Sequence, residues 1–415
     1  MSKRFAWLLG FTGLVLIALL VACGTTYNAS SDGLVVVGSQ GSALLESFSF
    51  NLANGHIAAV NNPPSSTSNQ TCVLQGVPAS IVIDPAGSYA YAIVSGNAVC
   101  GTPGSNTILA FKVGTDGTLT AAGSGVSDPN PTALAMDSSG KFLFVAEGLA
   151  GQVNSYSIGS GTLKAVPGTF SFTLPQGFQP PNFAALAPTP TTLPALVNGV
   201  QTAVCASPGN TAPTNEFLYV ADSVNGAVYE FGVDTSTGAL TNPPGQSSVQ
   251  WVAAGSVPSG VAVDPCDRFV YVSNLQSNQI SAYNICSLVV QGVCPAADGS
   301  LKPVSGSPFS QTIGLGPGPL VVDPFGNNLY VLETRSNQVV PFHISSVSGS
   351  LTAGSVAVTG NLPTSIAIRG DDQWLFVTNF NSATISQFSI IPSGGALSAL
   401  PAVQTDNQPW GIAVK

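Results

Sequence analysis

The stretch PSGVAVDPCDRFVYVSN, Pro258 to Asn274, decides the fold. Proline opens it, and the first residue of a strand can do without a backbone donor. GVAV and FVYV are short runs rich in β-branched and aromatic residues, as strands are. An Asp-Pro turn separates them. In sister copies it reads Asp84-Pro85-Ala86-Gly87 and Asp323-Pro324-Phe325-Gly326, with the residue types a type I turn favours at its first, second and fourth positions.

The pattern recurs as PASIVIDPAGSYAYAIV from Pro78, PTALAMDSSGKFLFVAE from Pro131, PGPLVVDPFGNNLYVLE from Pro317 and PTSIAIRGDDQWLFVTN from Pro363. A degenerate copy starts at Pro181 as PNFAALAP and resumes after an insertion as NEFLYVAD, Asn215 to Asp222. Each copy continues into an alternating segment such as NQISAYNI or ATISQFSI, then a turn and a leucine, as in TDGTLTA. One unit is therefore four strands, a to d, over roughly 40–50 residues. A single such sheet cannot bury both faces, so copies must stack. Ahead of these six units, LVVVGSQGSALLESFSF (Leu34 to Phe50) supplies strands b and c, and HIAAV a strand d, but no strand a. The chain ends on PWGIAV, Pro409 to Val414, a strand a with nothing after it. Joining the two predicts an all-β, seven-bladed β-propeller. Its blades start near residues 34, 78, 131, 181, 258, 317 and 363, and strand 409–414 closes the ring. Closure removes sheet edges that would otherwise pair with other chains.

Charged residues make up 7% of the chain, against roughly 25% in an average globular protein. Polarity is carried by neutral hydrogen-bonding side chains, and no helical apolar spacing is found after the first 23 residues. Those residues read as a targeting segment: Lys3 and Arg4, then the apolar run Phe5 to Leu20. LVAC, Leu20 to Cys23, resembles a bacterial lipobox, which implies cleavage before Cys23 and a lipid on its sulfur. The expected organisation is a signal peptide at 1–23, a short tether at 24–33 and the propeller at 34–415. Gly24 implies an exported lipoprotein of the outer membrane or cell surface. Losing Lys3 and Arg4 leaves 8 basic against 19 acidic residues, a net charge of −11. Such a surface repels phosphate backbones, so nucleic acid is not expected as a partner. Membrane contact is expected through the lipid alone, and the protein as a monomer.

The strand order sorts the loops. The d–a and b–c connections share one face, here the top, and a–b and c–d share the bottom. Six cysteines follow Cys23, an even count that suggests up to three disulfides in an exported chain. Cys72 and Cys100 fall at the top and are expected to pair. Cys205, Cys266, Cys286 and Cys294 fall at the bottom, where 205–266 with 286–294 is the expected arrangement, although spacing alone leaves the connectivity open. With no C-x-x-C pair and no neighbouring His, neither a metal nor another cofactor is expected.

YVSN (Tyr271 to Asn274) and FVTN (Phe376 to Asn379), each closing a proline-initiated pair of strands, resemble the YVTN-repeat and lactonase-type (6-phosphogluconolactonase-like) β-propeller families. The likeness extends over residues 31–415. It implies the seven-bladed fold and, for lactonase-type members, His and Arg near the start of strand a with an Asn-Glu pair after strand b. Here PTA (Pro131 to Ala133) and PSG (Pro258 to Gly260) occupy the first place, and Leu275 follows Asn274. His56 and His343 fall on blade strands. Opening a lactone needs a group to activate water and a donor for the developing oxyanion.

Two rings of residues are expected at the top. One holds Ser80, Ala133, Phe183, Gly260, Pro319, Ser365 and Gly411; the other ends strand b with Ser39, Val94, Glu147, Asp222, Asn274, Glu333 and Asn379. The candidate binding residues are Glu147, Asp222, Asn274, Glu333, Arg335, Asn379, Phe183 and Trp410. Insertions at Asn61–Gly76, Gly96–Thr107 and Ser171–Phe183 add top loops, bringing Phe172 and Phe178, and that at Ala184–Asn215 decorates the bottom. The resulting expectation is a non-enzymatic binding or scaffold module for an envelope protein or glycan. The alternative is a lactonase-type hydrolase acting on a sugar or cyclic lactone.

Overall fold

The computed structural model describes residues 32–42, 44–60, 77–95, 106–123, 125–148, 151–167, 170–171, 176–190, 216–287, 294, 296–310 and 314–415. Seven antiparallel sheets follow one another around an axis. In blade 5 the strands are a (Pro258–Val263), b (Phe269–Asn274) and c (Gln279–Ile285), and strand d is split into Leu301–Pro303 and Phe309–Ser310. Strand a of each blade packs on strand a of the next, and the circuit returns to Pro409–Val414. That last strand completes blade 1, with Val35 opposite Val414 and Val37 opposite Ile412. The propeller and its closing strand are as the sequence predicts.

Strand alternation explains why strand b is buried on both faces. In blade 5, Val270 and Val272 enter a cluster with Tyr219 and Val228 of blade 4. Phe269 and Tyr271 enter another with Leu329 and Val331 of blade 6. Seven such clusters among the described residues correspond to the seven blade interfaces.

Two further devices register neighbouring blades. The Tyr219, Tyr271 and Tyr330 hydroxyls donate to the carbonyls of Gly299, Gly349 and Gly395, each in the c–d turn of the following blade. Those turns also press a glycine onto the start of the preceding strand b. Gly299 has φ +74°, and a Cβ there would lie 2.2 Å from the Phe217 ring. The aspartates of the repeat close the a–b turns. Asp264 accepts from the Arg268 N–H, and Asp323 from the Asn327 N–H.

Blade 4 departs from the expected start. Phe183, not Pro181, stands at the head of strand a (Phe183–Pro188), opposite Asp222 as Pro131 stands opposite Glu147. Cys286 and Cys294 form the expected disulfide. Cys266 is disulfide-bonded to a partner outside the described residues. Cys23, Cys72, Cys100 and Cys205 themselves lie outside them, as does Phe172.

Candidate functional site

The seven a strands surround a cavity of about 530 Å³ at the top of the axis. Its wall comes from a local irregularity that every blade repeats. The a–b register shifts at the head of strand a in all seven blades, between Pro258 and Gly260 in blade 5 and between Pro363 and Ser365 in blade 7. A shift of this kind re-aims the extra residue. The residue just after the proline accordingly joins the next one on the wall: Thr132 with Ala133, Ser259 with Gly260, Thr364 with Ser365. Ser80, Gly318, Pro319 and Thr334 add to it, and Leu275, Leu362 and Trp410 bring larger apolar groups.

The wall hydroxyls brace the ring. Thr132 donates to the Phe183 carbonyl at 2.6 Å and Ser259 to that of Pro317 at 3.0 Å. Thr364 donates to the Pro409 carbonyl at 3.1 Å, and Thr334 to that of Gly316 at 2.9 Å. The first three of these bonds cross from one blade to the next. A hydroxyl has one proton and two lone pairs. These four therefore offer a ligand lone pairs only. The Ser80 oxygen instead accepts from the Leu134 N–H, and the Ser365 hydroxyl has no partner among the described residues, so these two retain protons to give.

The second expected ring lies beneath the loops, and none of its members is on the wall. Glu147, Asp222, Asn274, Glu333 and Asn379 are all fully buried. Glu147 accepts from the Asn130 N–H and the Asn154 amide, both at 2.9 Å. Asp222 accepts from the backbone of Asn182 and Val224 and from the Asn225 side chain. Asn274 accepts from the Gly255 N–H and donates to Ser281, while Asn379 donates to Thr384 and Ser386. These side chains tie the top connections to strand b. Glu333 differs. Neither of its carboxylate oxygens has a hydrogen-bond partner among the described residues, and burial pushes its pKa up to about 7. It packs on Gly314 and immediately precedes Thr334 of the wall.

Arg335 is exposed on the blade 6 b–c loop, over Gly316 and off the cavity wall. Phe183, expected at the mouth, is fully buried and meets Tyr229 edge-on at 5.6 Å, because it fills the proline position of its blade. Ala185 takes its place on the wall. Phe178 packs on Trp251, away from the axis. Trp410 does line the cavity, 38% exposed, with Phe380 against it at 5.7 Å. Gly411, expected in the first ring, is not on the wall; the shifted register puts Trp410 there instead. The hydroxyls one residue after the proline were not among the expected candidates. Their signal is the recurrence of Pro-Thr or Pro-Ser at residues 131, 258 and 363.

Comparison with known proteins adds to this geometry. The family model described as Lactonase, 7-bladed beta-propeller matches residues 67–412. A 6-phosphogluconolactonase of Erwinia tasmaniensis is 22% identical over 359 residues, covering 86% of this chain and 94% of that protein. One from Yersinia pestis is 22% identical over 311 residues, covering 74% and 81%. Among solved structures, a periplasmic gluconolactonase of Pseudomonas aeruginosa superposes with a TM-score of 0.68 at 18% identity, over 92% of this chain and 99% of that one. A protein from Lactobacillus plantarum gives 0.69 at 16%, over 92% and 99%. The expectation of a non-enzymatic scaffold is corrected by these findings: the family and the curated relatives bear the names of lactone-opening enzymes, which favours the alternative. The small neutral residues at the heads of the a strands had suggested a binding module. With its family model spanning most of the blades, the chain belongs to the lactonase family of seven-bladed β-propellers.

Proposed function

We propose that the protein hydrolyses a lactone in the axial cavity. Water adds to the ring carbonyl, the ring C–O bond breaks, and a hydroxy acid leaves. The observation that carries this reading is family membership across the same blades that build the cavity. Its volume of about 530 Å³ suits a small-molecule site, for which roughly 300–1,000 Å³ is usual.

Every Asp, Glu, His, Lys and Arg side chain from residue 33 onward lies among the described residues, so the search for a base covers all of them. At the top, Glu147 and Asp222 are occupied by hydrogen bonds that hold loops. Glu333 is unpartnered, with a pKa near neutrality that suits a general base. It lies behind Thr334 and not on the wall, so as the candidate base it takes the proton of the attacking water through a bridging water. Ser80 and Ser365, which keep their protons, are the candidate donors to the oxyanion. The test is proton release from glucono-δ-lactone, corrected for spontaneous opening. Turnover by the wild type that collapses in Glu333→Gln while the protein stays folded supports the reading. Unchanged turnover in that variant removes Glu333, and no turnover in the wild type removes the enzyme.

The reading extends to an envelope lipoprotein, monomeric and tethered through a lipid on Cys23. The Cys286–Cys294 disulfide is consistent with an oxidising compartment. Labelled palmitate should enter the wild type and not Cys23→Ala.

A further inference from the structure

We infer that the site takes an uncharged, hydroxyl-rich lactone and discriminates against a phosphorylated one; the substrate's being a lactone rests on the function proposed above. Three observations converge. The first is a charge inventory. From residue 32 on, all the basic side chains are described, and none lines the cavity. Lys141, Arg268, Arg369 and Lys415 sit at the a–b turns on the opposite face, Arg268 and Arg369 in ion pairs with Asp264 and Asp371. Lys112, Lys164 and Lys302 lie on the outer c and d strands. Only Arg335 is on the top side, off the wall. A phosphate entering the cavity would be desolvated with no counter-charge, in a protein whose acidic residues outnumber basic ones by 19 to 10.

The second observation is the direction of the hydrogen bonds. Thr132, Ser259, Thr334 and Thr364 have given their protons to carbonyls and turn lone pairs to the ligand. A dianionic phosphate has only lone pairs to offer in return. The hydroxyls of a sugar ring donate, and so match this wall. Thirdly, Trp410 presents a partly exposed ring at the mouth, held by Phe380. Its flat apolar surface fits the C–H face of a pyranose-sized ring, which a charged substituent would not improve.

The experiment compares two pairs of probes on the full chain. Glucono-δ-lactone and its 6-phosphate are followed by proton release. Glucose and glucose 6-phosphate are titrated against tryptophan fluorescence, with Trp410→Phe identifying the cavity signal. The expected result is kcat/KM higher for the neutral lactone by roughly a hundred-fold, the scale set by stranding a buried charge without a partner, and quenching by glucose alone. Ala184→Lys, which puts a cation on the wall at a residue with no assigned role in the chemistry, should narrow that ratio. Equal or better turnover of the 6-phosphate overturns the inference while leaving the lactonase reading intact, and its loss in Arg335→Gln would identify the cation. If neither lactone is turned over, the lactonase reading fails. Quenching by glucose alone would then still support a neutral-sugar site, and quenching by glucose 6-phosphate, or by neither sugar, would refute it.

Discussion

Substituting Glu216 by Gln should stabilise the protein, and by more as the pH rises. Glu216 opens strand b of blade 4 (Glu216–Asp222), 1% exposed, with neither carboxylate oxygen hydrogen-bonded among the described residues. Burial, reinforced by the charge of Asp137, pushes its pKa up to about 8 from an ordinary 4.5. The folded pKa lies above the unfolded one, so the unfolded chain releases this proton first. Stability is therefore unaffected well below pH 4.5, falls as the pH climbs, and levels off above pH 8. Linkage with these two values gives a loss of about 3–4 kcal/mol between pH 5 and pH 8. Glutamine copies the shape of the protonated acid and cannot ionise, so Glu216→Gln escapes that loss. Urea unfolding of both proteins at several pH values measures it as a gap in midpoint that widens with pH. A gap that stays constant from pH 5 to pH 8 would mean that Glu216 is not held protonated, and the reasoning would fail.

Three other outcomes are expected. Gly299→Ala must place a Cβ 2.2 Å from the Phe217 ring at φ +74°, and should cost about 2–4 kcal/mol in urea unfolding from overpacking and backbone strain together. Tyr271→Phe removes the single bond to the Gly349 carbonyl and should cost only about 1 kcal/mol, since the ring stays packed. Deleting Pro409–Lys415 strips strand a from blade 1 and takes Ile412 and Ala413 from two blade interfaces. Size-exclusion chromatography should then show aggregate, and a monomeric, folded product would contradict closure by this strand.

The ring was legible in the sequence because its causes are local and repeated. Each Asp-Pro turn and each double-sided strand b states the same unit, and a missing strand a at one end answers a spare one at the other. The cavity wall was legible only in part. Ser80, Ala133, Gly260, Pro319 and Ser365 could be placed by counting from a proline, and they do line it. Thr132, Ser259 and Thr364 could not, because a register shift, invisible to a simple alternation count, turns them inward. Blade 4 misled for a related reason. Pro181 and Phe183 both fit the head of a strand, and only pairing with Asp222 chooses between them. Glu147 and Glu333 look equivalent in the repeat. Which of them is satisfied depends on a d–a connection whose length differs between blades.

The proposed activity is hard to read from the sequence for a reason that the architecture makes plain. Along strand a, the residues that fix the fold and the residues that meet a ligand are largely different sets, shared only at positions such as Val261, Leu320, Ala133 and Ala185. Val261 and Ala262 feed the interfaces to blades 4 and 6, while Ser259 and Gly260 face the axis. Selection on packing thus leaves the head of strand a nearly unconstrained, apart from a small side chain and a hydroxyl that braces the next blade. A propeller of this kind can exchange basic residues for neutral ones at wall positions such as Ala184 and Ser365, which belong to no interface cluster. Small residues at the heads of the a strands therefore report which ligand is admitted and leave open whether chemistry is done. The wall was read as a sign of no catalysis when its physical content is a statement about charge. On that argument, a cation placed at Ala184 should alter which lactone is accepted while leaving the seven interfaces as they are.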